Sequence, residues 1–262
     1  MTTMPLRLAD FDVRSRLRAA LVHLLICLCI AAAVLLLMVL VWYPHPYFEA
    51  SGALRLALIV IGVDVVVGPV LTFVVFKRGK KTLKFDLSVI AALQLAALTY
   101  GIHVVYAARP VFLVFAIDQF EIVAANAVDP DSLARARGTP FGTLSLTGPR
   151  LVAAQMPQDQ QEKQRILLST LKTGRDLPQM PQYYVPYDQL KPNVMARAKS
   201  LEQLRKRHPE ADALLRAAEQ RARDRSITLA YLPVVGRMRD LSALIDRRTG
   251  ELLEMVAVDP WE

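Results

Sequence analysis

The amino-acid sequence predicts a membrane protein: three transmembrane α-helices followed by an α+β soluble domain with antiparallel strands. Three observations carry this. Apolar residues make up 53% of the 262, and the mean hydropathy is positive, above the share of an ordinary globular chain. They concentrate in three blocks, 19–42, 53–76 and 87–108, each of about 22 to 24 residues, and a helix of that length rises roughly 33 to 36 Å, enough to cross hydrocarbon. From Arg109 onward the polarity is mixed, with alternating apolar runs at both ends and helical spacing between them. The expected division is an N-terminal segment 1–18, a membrane domain 19–108 and a soluble domain 109–262.

The first block is too long for a signal-peptide core and lacks a small-residue cleavage site, so it reads as a retained anchor. It runs into WYPHPYFEASG, residues 42–52, where Pro44 and Pro46 stop the helix. Tyr43, Tyr47 and Phe48 suit an aromatic belt at the membrane interface, and Trp42, Tyr43 and Tyr47 are candidates for contact with a partner. The second and third blocks are joined by the short basic turn KRGKKTLKFD, residues 77–86, with Gly79 at its bend.

After Arg109-Pro110, strands are expected at 111–115 and 120–124, turning around 117–119. A Pro/Gly-bearing connection covers 129–157, with a short strand at 144–146. A helix follows at 158–172, with Ile166, Leu167 and Leu171 on one side and Gly174 as its stop. Residues 178–192, rich in Pro and Tyr, read as an extended ordered loop. Helical spacing returns over 200–224, broken at His208-Pro209. Three closing strands are expected at 227–235, 241–245 and 252–258, with DRRTG turning the second into the third.

Basic residues set the orientation. Arg7, Arg14, Arg16 and Arg18 precede the first block, Lys77, Arg78, Lys80, Lys81 and Lys84 lie between the second and third, and residues 43–52 contain none. The positive-inside rule puts the N-terminus and the second loop in the cytoplasm and exports the C-terminal domain. The net charge of +8 divides as +5 over residues 1–108 and +3 over 109–262, so much of it follows from topology. The rest is mixed in sign and lacks an aromatic-basic motif, which argues against nucleic acid as a partner.

No phosphate loop, metal-ligand cluster or nucleophile elbow is present, so no catalytic residue, metal or cofactor is expected. His23, His45, His103 and His208 are scattered through the topology, and Cys27 and Cys29, two apart on one helix, cannot easily bridge each other. The stretch VDVVVGPV, 63–70, is the exception to an otherwise bland membrane region. It sets Asp64 near mid-bilayer, where an Asp costs about 2.5 to 3.5 kcal/mol on insertion scales, one turn before the helix-bending Pro69. Gly62 and Gly68 flank it with surfaces that allow close helix approach. Three roles are open: an internal hydrogen bond to Gln94, Thr99 or Tyr100 of the third span, contact with a partner helix, or movement of a proton or solute. An aspartyl intramembrane protease would need a second membrane carboxylate, and Asp86 lies at the border.

Several segments together resemble a known family. Trp42-Tyr43-Pro44, GVDVVVGPVLTFVVF at 62–76, KKTLKFDLSVIAALQLAALTYG at 80–101, RPVFLVF at 109–115 and VDPW at 258–261 are similar to the type IV pilin accessory proteins, the TfpX/TfpZ family. LTGPRLVAA at 146–154 and YYVPY at 183–187 look like further family segments. The resemblance implies a non-enzymatic protein of the bacterial inner membrane that stabilises its cognate type IV major pilin and promotes pilus assembly. A single-span pilin with an external head would be met by helix contacts in the bilayer and head contacts outside it. The competing readings are a membrane-anchored sensor or receptor and a small envelope enzyme or transporter. Oligomeric state is not written in the sequence.

Overall fold

The computed structural model describes residues 12–261; residues 1–11, Arg7 among them, lie outside the described residues. Three helices are long and apolar enough to cross a membrane. The first, α1 (Val13–Leu37), continues into a wider π-type turn, Met38–Trp42, where the Tyr43 N–H donates to the Met38 carbonyl at 2.7 Å. A single helical turn, α2 (Tyr47–Ala50), precedes α3 (Ala53–Val75), and α4 (Leu83–Ala107) completes the set. Both α1 and α4 begin earlier than hydropathy predicts, because their first turns carry charged residues that solvate at a membrane border without breaking a helix. Lys84, expected in the loop, therefore stands in the first turn of α4.

The described residues fall into two compact units. One joins α1 up to Leu37 with Arg55–Val105. The other joins Met38–Leu54 with the chain from Tyr106 onward.

The second unit is a mixed eight-stranded sheet with helices. In chain order it contains β1 (Pro110–Ala116), β2 (Gln119–Ala124), α5 (Pro130–Arg135), β3 (Arg150–Ala154), α6 (Gln160–Thr173), β4 (Tyr184–Val185), α7 (Lys191–Arg197), β5 (Lys199–Ser200), α8 (Leu201–Arg207), α9 (Asp212–Arg223), β6 (Leu229–Val235), β7 (Leu241–Asp246) and β8 (Leu252–Val256). The strand order is β4-β3-β1-β2-β6-β7-β8, with β5 paired to β6. Most pairings are antiparallel, as expected for tight hairpins. The exceptions are β1 with β3 and β2 with β6, which run parallel. Both are joined by long connections containing helices, the geometry a parallel pair requires. The expected strand at 144–146 is not formed; the position beside β1, between it and β4, is taken by Arg150–Ala154 instead.

Alternation along the central strands divides the core. Leu113 and Phe115 of β1 join Phe120, Leu232, Val234, Leu241, Ala243 and Ile245 on one face, covered by Tyr187 and by Val194 of α7. Phe112, Val114 and Ala116 of the same strand point the other way, onto Val152, Ile166 of α6, Leu177 and Tyr184. Tyr231 and Leu244 meet Leu201, Leu204, Leu215 and Ala218 of α8 and α9. Every residue of β1 is buried, as in a strand covered on both faces.

Three local expectations need correction. On α6 only Ile166 is buried; Leu167 and Leu171 are 59% and 75% exposed, since they lie a third of a turn or more from the buried line. The loop 178–192 is not simply extended: it holds two short 3₁₀ turns and β4, then coils into a third turn at Tyr187–Leu190 that leads into α7. Tyr43 is 0% exposed, and Ala50 lies in the main core cluster with Tyr47 packed against it, so the segment expected at the interface is a structural part of the sheet unit. The Ala50 carbonyl accepts from the Met238 N–H at 2.9 Å, fixing the turn to the β6–β7 loop.

Candidate contact site in the membrane helices

Within the membrane unit, a band of polar side chains joins α1, α3 and α4. Gln94 of α4 lies against Gly68 of α3; a Cβ built on Gly68 would fall 2.1 Å from the Gln94 Nε2, so no other residue fits there without displacing the amide. That Nε2 donates to the backbone carbonyl of Asp64 at 3.2 Å and lies 3.7 Å from the Cys27 Sγ of α1. Of the internal partners expected for Asp64, Gln94 is the one in place. Thr99 turns back to the Leu95 carbonyl of its own helix at 2.7 Å, and Tyr100 is 71% exposed. Pro69, buried after Asp64, brings no N–H to the helix ladder and leaves the Val65 carbonyl without its helical donor, while Gln94 of α4 donates to the adjacent Asp64 carbonyl.

Asp64 itself is buried, and its Oδ1 has no hydrogen-bond partner among the described residues. It lines a cavity of roughly 200 Å³ together with His23, Ile26, Cys27, Ile30 and Ala31 of α1, Ile61 of α3, and Ala91, Gln94, Leu95 and Leu98 of α4. The walls are almost wholly apolar.

The same unit contains two polar contacts that sequence reading missed. The His23 ring Nδ1 and the Thr72 hydroxyl are 2.5 Å apart, and Arg16 donates through Nη1 to the carbonyls of Phe73 and Val74, at 3.1 and 2.7 Å. Arg16 was expected only as a topology determinant, yet it also donates to carbonyls in the last turn of α3. The signal was available: α3 ends without a capping glycine, so its last carbonyls needed a donor from elsewhere.

The other expected site residues divide. Gly62 faces open space, with nothing within 4 Å of a Cβ built on it, whereas the close approach of α3 and α4 occurs at Gly101, whose Cβ would meet the Val60 methyls at 2.6 and 2.8 Å. Arg14, Arg18, Lys77, Arg78, Lys81 and Lys84 are exposed, and Lys80 pairs with Asp86 at 2.7 Å around the Gly79 turn. In the sheet unit, Trp42 packs edge-on against Tyr106 at 5.3 Å, and Arg109 stacks on the same Tyr106 ring at 3.7 Å while donating to its carbonyl at 2.7 Å. Burial pushes the Tyr43 phenol well above its ordinary range. Trp42, Tyr43 and Tyr47 are therefore held by the fold. Among the described residues, no group of three His, Cys, Asp or Glu side chains is arranged to hold a metal ion.

Comparison with known proteins agrees with this layout. The family model of the fimbrial assembly protein FimB matches residues 11–52, which take in α1 and the turn that enters the sheet unit. A fimbrial assembly protein of Dichelobacter nodosus, serogroups C1 and C2, is 37% identical over 117 residues, covering 44% of this chain and 89% of its own. The chain belongs to the fimbrial assembly protein family. Two further members from the same organism, of serogroups I and E1, are 28% and 29% identical over 245 residues, covering 92% of this chain and 94% of theirs. The similarity to the fimbrial assembly proteins therefore runs through membrane helices and sheet unit alike, and the resemblance to pilin accessory proteins holds. No solved structure matches the chain.

Proposed function

We propose that this multi-pass membrane protein is an accessory factor of type IV pilus assembly that stabilises its cognate major pilin, without being an enzyme. The observation that carries the reading is the near full-length similarity to proteins named for fimbrial assembly, on a chain that pairs three membrane helices with a folded sheet unit. A subunit stored in a membrane before assembly offers an apolar helix and a polar head, and this architecture has a surface for each. In this reading the protein sits in the bacterial inner membrane, with segment 1–18 cytoplasmic, 19–108 forming the membrane domain and 109–262 periplasmic. The exposed basic residues Arg14, Arg18, Lys77, Arg78 and Lys81 support that orientation. Asp64 and Gln94 form the membrane part of the contact, with Gly68 and Pro69 shaping α3 behind them.

Deletion of the gene beside an intact pilin gene tests the reading. Steady-state pilin and surface pili should both fall severalfold and return on complementation. Unchanged pilin level and piliation would reject it. A periplasmic reporter fused after Trp261 should be active; activity only of a cytoplasmic reporter would reverse the orientation.

A further inference from the structure

The cavity around Asp64 is a groove whose shape restricts what fills it. Its two rims are α1, with Ile26 and Ile30 at 55% and 38% exposed, and α4, with Leu95 at 60% exposed. Its floor is α3, with Ile61 and Asp64. The groove thus opens between the exposed rims of α1 and α4, while the small-residue contacts at Gly68 and Gly101 close the α3–α4 seam.

The floor is the informative part. Asp64 is only 9% exposed, and its Oδ1 has no hydrogen-bond partner among the described residues, although Gln94, His23 and Cys27 all line the same space. The Gln94 amide donates to the Asp64 backbone carbonyl and also interacts with its carboxyl, and the His23 Nδ1 is engaged with Thr72, yet Oδ1 is left without a partner among the described residues. A buried carboxyl oxygen without a partner at membrane depth is complementary to a group that brings its own N–H or O–H. An acyl chain brings none. A fatty methylene would fill the apolar walls and leave the oxygen unpaired.

From this we infer that the α1–α4 groove is a docking slot for one transmembrane helix of another protein, an apolar helix carrying an amine or hydroxyl donor at mid-membrane depth that bonds the Asp64 carboxyl. Resting on the accessory reading above, the occupant is the membrane helix of the pilin. The proposal places the contact on the α1 and α4 rims, and takes Gly62, on the outer side of α3, out of it.

The test uses the full chain in membranes that also contain the cognate pilin. A photo-crosslinking amino acid is placed singly at Ile26 and Leu95 on the rims, at Leu58, an exposed position of α3, and at Ile117, an exposed position of the sheet unit. Capture of pilin from Ile26 and Leu95 but not Leu58 is expected. Asp64→Leu should reduce the rim capture by about tenfold, as expected when a buried donor loses its hydrogen-bond partner. Ala91→Phe, which keeps Asp64 but fills the slot, should reduce it similarly. Both variants are compared at equal membrane abundance and equal protease pattern.

Capture of pilin from Ile117 alone would overturn the groove and leave the accessory role standing. Capture of pilin from no position would overturn both. Rim adducts of lipid only, or of a second copy of this chain, would overturn the choice of occupant, and full rim capture in both Asp64→Leu and Ala91→Phe would overturn the role of the slot.

Discussion

Replacing Tyr43 by Ala separates two accounts of the segment that follows α1. In the structure the Tyr43 ring is 0% exposed, meets Phe48 edge-on at 6.5 Å, and its backbone closes the π-type turn. Removing a fully buried aromatic side chain costs about 3 to 5 kcal/mol, the sum of lost transfer energy and the cavity left behind. With a urea dependence of about 2 kcal/mol per molar for a unit of this size, the unfolding midpoint should fall by about 2 M. Pulse proteolysis of the full chain in detergent, across a urea series, reads the unfolding of the sheet unit. Tyr43→Phe keeps the ring and should lose about 1 kcal/mol or less, the worth of a hydroxyl interaction. His45→Ala, at an exposed position two residues on, should leave the midpoint in place. A Tyr43→Ala midpoint equal to that of His45→Ala would show that the ring lies among head groups and would refute its place in the core.

Two further perturbations probe the seam of the membrane unit and the sheet. Gly101→Ala drives a methyl into Val60 and should cost about 1 to 3 kcal/mol by overpacking, read as earlier thermal inactivation in detergent; Val60→Ala should restore it, and Gly62→Ala should have no effect. Glu121, whose carboxyl is raised above the usual range chiefly by burial, holds its proton more firmly folded than unfolded, so stability is greatest below about pH 4 and declines as pH rises through the folded value. Glu121→Gln keeps an acceptor for the Gln179 amide, so it should stabilise the sheet unit at neutral pH and flatten that decline; an unchanged pH profile would contradict the assignment.

What the sequence reveals here tracks how locally each feature is determined. Helices α3 and α4, the β1–β2 hairpin, the break at His208-Pro209 and the closing β6–β7–β8 meander are each set by apolar period and turn chemistry within about 20 residues, and all are legible. The parallel pairings of β1 with β3 and of β2 with β6 depend on long-range closure and leave no local mark. Gly62 and Gly68 look equivalent in the sequence because spacing does not say which side of a helix meets a neighbour. Only Gly68 faces one, and Gly101 was passed over because an isolated glycine carries no pattern. Asp64 was legible as an anomaly, since a carboxylate in an apolar run is costly wherever it sits; which oxygen is satisfied, and by what, required the third helix.

The segment at 42–52 shows why aromatic and proline content alone misleads. Rings, prolines and the absence of Lys and Arg suit a membrane interface, and they equally suit a tight turn that must bury itself in a sheet domain. The two differ in where the backbone polar groups go. A head-group loop leaves them to water, whereas here the Ala50 carbonyl receives the Met238 N–H and the Tyr47 N–H is donated to Pro44 within the turn. That accounting makes the connection between the first two spans part of the folded unit, so its aromatic residues are largely occupied by their own chain. In the proposed reading, membrane contacts with a partner come from surfaces that remain open, and within the helices the groove floored by Asp64 combines an accessible rim with an unmet polar atom.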